Sequence, residues 1–587
     1  MKKRLNIFLI ALFSLMLVLS GCTTTTSQST AEKDNKDKKD SSVEETSAGK
    51  KVLRANNHSE PGALHPGLAL GSHDSWILDH VFEGLATKDS DGTIIPGMAE
   101  TWETSEDGLT WTFHLKDSVN WSNGEPVTAQ DFEYAWKFAM DPNSAATYAY
   151  QFYYIEGAEE FNNIGADVLA KYNEELEKAE EEGKTPPEKP VIPEDQLGPA
   201  RDKVGVKALD DKTLEVKLTS PTAYFIDLMT FFSYYPINKK LAESNPDWYK
   251  EPSNYVSNGA FKLTEWKHKE SITLSKNDKY YAADKVKLDE VLLYIIEDQN
   301  TAWQMYETGE IDLLDDLPAE VTGMMVAGNR ADFHNAAELA TYYYNLNAKV
   351  KPFNNPKVRK ALSMAIDRKT ITEHVTQGGQ LPAYGVVPPG MPDVSGDFRE
   401  NGGALFEENV EEAKKLLAEG LAEEGLTEFP EVTLLYNNSV THKGIAEAVQ
   451  EMWRKNLGIE KLLLENVEFQ VKLDREKSGD YQISRAGWIG DYVDPMTYMD
   501  LWLTGGANND ANYSNPEYDK LVNKAKASMD QAERMELMHK AEQMLMNEMP
   551  IIPVYYYSRP HVYKENVTGI YTLINSAPVF KFADIQN

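Results

Sequence analysis

Residues 96–131 read PGMAETWETSEDGLTWTFHLKDSVNWSNGEPVTAQD, and three signals inside that stretch set the fold class. From Thr110 to Leu115 apolar and polar residues alternate, which puts Trp111, Phe113 and Leu115 on one face of a half-buried strand. Asn123-Gly124 marks a turn. Thr128, followed three residues later by Asp131, opens a helix whose apolar face carries Phe132, Ala135 and Trp136. Downstream, Thr213 to Leu218 alternates again through Leu214, Val216 and Leu218. Strand, turn and helix in close succession predict a mixed α/β region.

Between these strands lies an acidic, Lys-punctuated stretch, Asp167 to Ala200, with Pro186, Pro187, Pro190 and Pro193. It reads as a surface insertion, helical at first and then extended. In the second half, Asn355 caps a helix with Pro356 at its first position, and Val358, Ala361, Leu362 and Ala365 form one buried stripe. Asn409 and Glu412 make a capping pair ahead of Ala413, Leu416 and Leu417. Such helices alternate with apolar runs at Val432 to Tyr436 and Ile551 to Tyr557, which extends the α/β layering along the chain.

The ends and the composition narrow the function. Lys2, Lys3 and Arg4 precede an apolar run to Gly21, the pattern of an export signal. Leu19-Ser20-Gly21-Cys22 resembles the lipobox of bacterial lipoproteins, which implies that Cys22 is lipidated and becomes the mature first residue. Residues 23–51 are polar and charged and read as a tether with a reach of roughly 30 Å. The chain has 587 residues, 41% apolar, enough for two or three domains. With 93 acidic against 59 basic residues the formal charge is -34, which opposes nucleic acid as a partner. Cys22 is the only cysteine, so no intramolecular disulfide or Cys-rich metal site forms. The 11 histidines show no metal-ligand spacing, and neither a Gly-x-Ser-x-Gly elbow nor a dinucleotide fingerprint is present. No cofactor is expected. An extracellular hydrolase whose site is assembled from distant segments is the rival from a different class.

The series Pro-Gly-Met-Ala-Glu-x-Trp from Pro96, Asp107-Gly108, and Trp121-Ser122-Asn123-Gly124-x-Pro126-Val127-Thr128-Ala129-x-Asp131 resembles the signature of extracellular solute-binding proteins of family 5. The likeness continues through Asn57 to Leu64, Tyr255 to Lys262, Thr341 to Arg368, Pro382 to Pro389, Ala486 to Asp494 and Pro553 to Tyr557. It implies an α/β fold of the periplasmic-binding-protein type, in its large three-domain form, with two lobes about a hinge. One discontinuous lobe would comprise 52–72, 221–308 and 549–587, an inserted domain 73–220, and the opposing lobe 309–548. The implied activity is not enzymatic: a lipid-anchored monomer on the outer face of a Gram-positive plasma membrane captures short peptides for an ABC permease. A selective peptide-pheromone receptor of the same fold is the near alternative.

The resemblance also carries site roles. Asp491 matches the position that pairs with a peptide's terminal ammonium. Gly487 and Ile489 match main-chain partners of an extended peptide, and Trp488 and Tyr148 match aromatic pocket positions. Arg485 and His442 match positions used for the peptide C-terminus, Asn437 another lining position, and Glu60 one facing basic ligand side chains. The chain departs from the pattern at Phe469, where a tryptophan is usual, and at Glu476, where a second arginine is usual and Arg475 is one residue away.

Overall fold

The computed structural model describes residues 49–586 except 182, 183, 223 and 329. The export signal, Cys22 and nearly all of the tether lie outside the described residues. The chain enters with β1 (Val52–Asn56), followed by the helix Ser72–Val81 and a two-stranded hairpin of β2 (Ala86–Lys88) and β3 (Ile94–Pro96). Next, β4 (Ala99–Thr104), β5 (Thr110–Leu115), β6 (Val206–Ala208) and β7 (Thr213–Lys217) build a separate antiparallel sheet in the order β4-β5-β7-β6. The alternation read from sequence is realised there: Phe113, Leu115, Leu214 and Val216 are buried, while Trp111 is half-buried.

The helix Ala129–Met140 packs against this sheet and starts at the expected cap. Asp131 does more than cap: Oδ2 accepts from Thr128 N at 2.9 Å and Trp121 Nε1 at 3.1 Å, and Oδ1 accepts from Lys239 N at 2.9 Å. One buried carboxylate thereby ties the helix start to a segment more than 100 residues away. The insertion follows expectation through the helix Ala166–Glu181 and the extended, Pro-rich run, but a second helix, Glu194–Arg201, closes it. Pro193 precedes that helix, and Glu194 and Asp195 in its first turn suit the positive end of the helix dipole. Arg201 pairs with Glu194 and Asp141.

Ten further strands join β1 in one large mixed sheet, while the short strands Val567–Thr568 and Asp584–Ile585 pair separately. The ten are β8 (Phe261–Lys267), β9 (Ser271–Lys276), β10 (Glu290–Tyr294), β11 (Leu313–Leu314), β12 (Phe333–Leu346), β13 (Leu381–Pro382), β14 (Val432–Asn437), β15 (Leu462–Val467), β16 (Ile483–Ile489) and β17 (Ile551–Tyr563). Their order is β15-β14-β16-β12-β17-β11-β1-β10-β9-β8, with β13 also paired to β17. The two long strands, β12 and β17, run antiparallel through its centre, with register shifts between Ala337 and Thr341 and between Tyr342 and Tyr343. Beside the first shift, buried Glu338 accepts from Arg559, which also meets Asp315 at 3.2 Å.

Both predicted helix caps form: Asn355 Oδ1 accepts from Lys357 N at 2.9 Å and Asn409 Oδ1 from Glu412 N at 3.1 Å. The stripe Val358, Ala361, Leu362 joins Tyr342 and Tyr344 of β12, Trp453, and Ile552 and Val554 of β17 in one core. The beginning of β17 therefore shares a core with residues from 342 to 483.

Candidate functional site

β16 pairs with β12 along its whole length but with β14 only at Ile483 and Ser484. On the β12 side the backbone bonds Asn347 N to Gln482 O (3.1 Å) and Gly490 N to Leu339 O (2.8 Å) fix which residues of the ladder exchange hydrogen bonds. Antiparallel pairs alternate, so Ser484, Ala486 and Trp488 face β12, and the N–H and C=O groups of Gly487 and Ile489 point to the opposite edge. No strand covers that edge beyond Ser484 among the described residues. A Cβ on Gly487 would lie 3.0 Å from Tyr557 Oη and 3.5 Å from Thr341 O, which accounts for the glycine.

The open edge borders a cavity of about 510 Å³. Arg485 and Asp491 line it from the two ends of this segment, at most roughly 20 Å of extended chain apart. Asp491 is half-buried; Oδ2 accepts from Gln151 Nε2 at 2.6 Å, and its own N–H donates to Thr497 Oγ1 at 3.0 Å. Burial, and then the nearby negative Asp500, push its carboxyl well above the usual range, against hydrogen bonds from Gln151 and Tyr148. No cation of the described residues pairs with it. Asp500 is itself matched by Lys526 at 3.3 Å.

Arg485 has the opposite imbalance. Its guanidinium donates to Tyr557 Oη at 2.5 Å and to Asn437 Oδ1 at 3.4 Å and sits 4.8 Å above the Tyr342 ring. Burial works against its charge, but the surrounding Tyr557, Tyr342 and Tyr555 outweigh burial and keep it protonated. Its Nε is buried without a hydrogen-bond partner, and none of its hydrogen bonds goes to a carboxylate. His442 stands near by, 5.6 Å from the Tyr342 ring. Burial, then Arg485 and Lys472, hold it well below the ordinary histidine range, so it is a neutral hydrogen-bonding group and not a second cation.

Of the residues singled out from sequence, the structure brings Asp491, Trp488, Gly487, Ile489, Arg485 and His442 to one cavity, together with Asn437, Tyr148 and Phe469. Trp488 lies 6.4 Å from Tyr148, whose ring is wedged against Phe231 and Phe232. Phe469 opens the helix Phe469–Ser478 and meets the His73 ring edge-on at 4.6 Å. Glu60 is placed differently: it is outside the lining, and its carboxylate accepts from Trp266 Nε1 (3.0 Å), His268 Nδ1 (2.7 Å) and Lys269 N (2.8 Å). Those three donors, supplied by β8 and the turn after it, engage the half-buried carboxylate at the protein surface. Arg475 also turns away, to Glu465 and Asp480 at 3.0 Å each, and Lys472 enters the cavity wall instead, paired with Glu476 at 2.5 Å. Sequence reasoning missed Lys472, Gln151 and Tyr557. The aromatic-rich run around Gln151 was the one available signal.

The family model for bacterial extracellular solute-binding proteins, family 5, matches residues 93–510. Oligopeptide-binding protein OppA of Bacillus subtilis (strain 168) is 41% identical over 581 residues, 97% of each chain. Among solved structures, that of Haemophilus influenzae OppA in complex with RPPGFSPFR superposes with a TM-score of 0.79 at 31% identity, covering 92% of this chain and 99% of that one. The pheromone receptor PrgZ superposes with a TM-score of 0.80 at 25% identity, covering 92% and 100%.

Proposed function

Because the chain belongs to the bacterial extracellular solute-binding proteins of family 5, we propose that it captures short peptides outside the cell and hands them to an ABC importer. The observation that carries this is the uncovered β16 edge with a carboxylate lacking a cation at one end, Asp491, and a cation lacking an anion at the other, Arg485. A peptide is the ligand that matches all three features. It adds as a strand antiparallel to β16, bonds the main chain of Gly487 and Ile489, and places its ammonium on Asp491 and its carboxylate on Arg485. Neutral His442 and Asn437 then act as hydrogen-bond partners near the C-terminal end. Trp488, Tyr148 and Phe469 border the side-chain spaces, where bridging waters substitute for sequence-specific contacts.

The peptide is released unchanged, so the protein is a carrier and not an enzyme. The lobes are those expected above: 52–72 with 221–308 and 549–587, the inserted domain 73–220, and the opposing lobe 309–548. The self-contained β4-β5-β7-β6 sheet inside 73–220 supports the insertion, and β12 and β17 serve as the strands about which the lobes close. Lipidation at Cys22 would hold a monomer at the outer face of the membrane, beside the permease. A selective peptide-signal receptor is the second reading, favoured by the likeness to PrgZ.

Calorimetric titration of the full-length protein with Ala-Ala-Ala, free and N-acetylated, tests the proposal. Binding of the free-amine form, weakened about 30-fold or more by acetylation, is expected, since truncating a buried charge pair costs roughly 2–5 kcal/mol. Equal binding of the two forms, or of neither, contradicts it. A panel of unrelated sequences then separates general capture from reception of one signal.

A further inference from the structure

The cavity continues past Asp491. The helix Ser72–Val81 runs along it, presenting Ser72, Ser75, Trp76 and Asp79 on one face. Phe469 packs near its start, where a Cβ on Gly71 would stand 3.2 Å from the ring. Its other end, at Asp79, reaches an annex bordered by Lys88, Thr230, Tyr235, Tyr571 and Lys581. Two contacts join this annex to the Asp491 segment. Asn575 Nδ2 donates to Gly490 O at 3.2 Å, and Asp227, the partner of Lys88, accepts from Val493 N at 2.9 Å.

Counting charges in the annex leaves one over. Lys88 is paired with Asp227 at 2.6 Å and Lys581 with Glu83 at 2.8 Å, and both lysines are buried. Glu83 is further held by Tyr280 and Tyr281. Asp79 accepts a hydrogen bond from Tyr235 Oη at 2.9 Å but contacts no cation of the described residues. Burial pushes its carboxyl up to about 6, against that hydrogen bond and the positive Lys581 and Lys88, so it is ionised at pH 7.5. A surplus carboxylate in a largely desolvated pocket attracts a cation more strongly than one in bulk water.

We infer that Asp79 and this annex form a subsite for the side chain of the ligand's first residue, selecting a basic one. The inference rests on the peptide reading above, because Asp491 fixes the amine-bearing carbon beside the annex. A lysine side chain lays its methylenes along Trp76 and Phe231 and brings its ammonium to Asp79. A glutamate there faces Asp79 directly and is disfavoured.

The test is calorimetric titration of the full-length protein, wild type and Asp79→Asn, with Lys-Ala-Ala, norleucine-Ala-Ala and Glu-Ala-Ala. Norleucine keeps the methylenes and removes the charge. In the wild type, Lys-Ala-Ala is expected to bind about tenfold tighter than the norleucine peptide, with the glutamate peptide weakest. In Asp79→Asn the lysine advantage disappears, while norleucine-Ala-Ala keeps its wild-type affinity to within about twofold. Equal wild-type affinities for the lysine and norleucine peptides, a comparison that needs no variant, overturn the subsite and leave peptide capture standing. So does a lysine advantage that survives Asp79→Asn. Failure of all three peptides to bind the wild type overturns both.

Discussion

A carboxylate kept in a cavity without a counter-ion works against the unliganded fold, and Asp491 is such a group. Its folded carboxyl lies well above its unfolded value, so the folded protein retains a proton that the unfolded chain has lost. Stability therefore falls as pH rises from about 4 through the folded value. Asp491→Asn removes that penalty. The unliganded variant is expected to melt at a higher temperature than wild type at pH 7.5, with the difference vanishing towards pH 4, as differential scanning calorimetry will register. The same substitution lowers affinity for free-amine peptides about 30-fold or more, so stability and binding move in opposite directions. At the other end, Arg485→Gln is expected to weaken binding of peptides with a free carboxylate about tenfold and to spare C-amidated ones, measured by competition. His442 adds no charge there, because burial, and then Arg485 and Lys472, hold it well below the ordinary histidine range.

At the scale of elements, the edge of β16 sets a common affinity for peptides of any sequence. Ile489 stands opposite Ala340 in a pair that exchanges no backbone hydrogen bonds, so its N–H is free for a ligand. Ile489→Pro removes that donor without removing a ladder bond. Calorimetry over a mixed panel is expected to show affinity falling about tenfold for every peptide alike; a loss confined to certain sequences contradicts this role. Elements of this kind were legible where their determinants are local. The strand at Thr110, the Thr128 and Asp131 cap and the Asn355 and Asn409 caps are each specified within a few residues, and each forms. Asp491, Trp488 and Arg485, which line one cavity, could be singled out together because they sit in one short motif. Their partners could not be, because Gln151 is 340 residues from Asp491 and no periodicity spans that gap. Glu60 shows the same limit: its position matched a binding role, but its bonds to Trp266, His268 and Lys269, over 200 residues on, were not visible in the sequence. The helix Glu194–Arg201 was hidden by the prolines before it, although its acidic first turn was in plain view.

At the scale of the molecule, the long strands β12 and β17 carry the proposed hinge, and the first of their two register shifts falls where Glu338, Arg559 and Asp315 cluster beside the cavity. The 147–154 segment already meets the end of β16 through Gln151 and Asp491, and closure about these strands would hold it and the helix Ser72–Val81 over the ligand, sealing both of its ends from water and strengthening each charge pair. Small-angle scattering of the unliganded and peptide-saturated protein is expected to show a smaller radius of gyration with peptide. The most direct test of the whole account is a crystal structure with a bound free-amine tripeptide. The account predicts an extended ligand antiparallel to β16, with main-chain bonds to Gly487 and Ile489 and its ammonium on Asp491. A ligand in the reverse direction, or one seated away from the β16 edge, would contradict it.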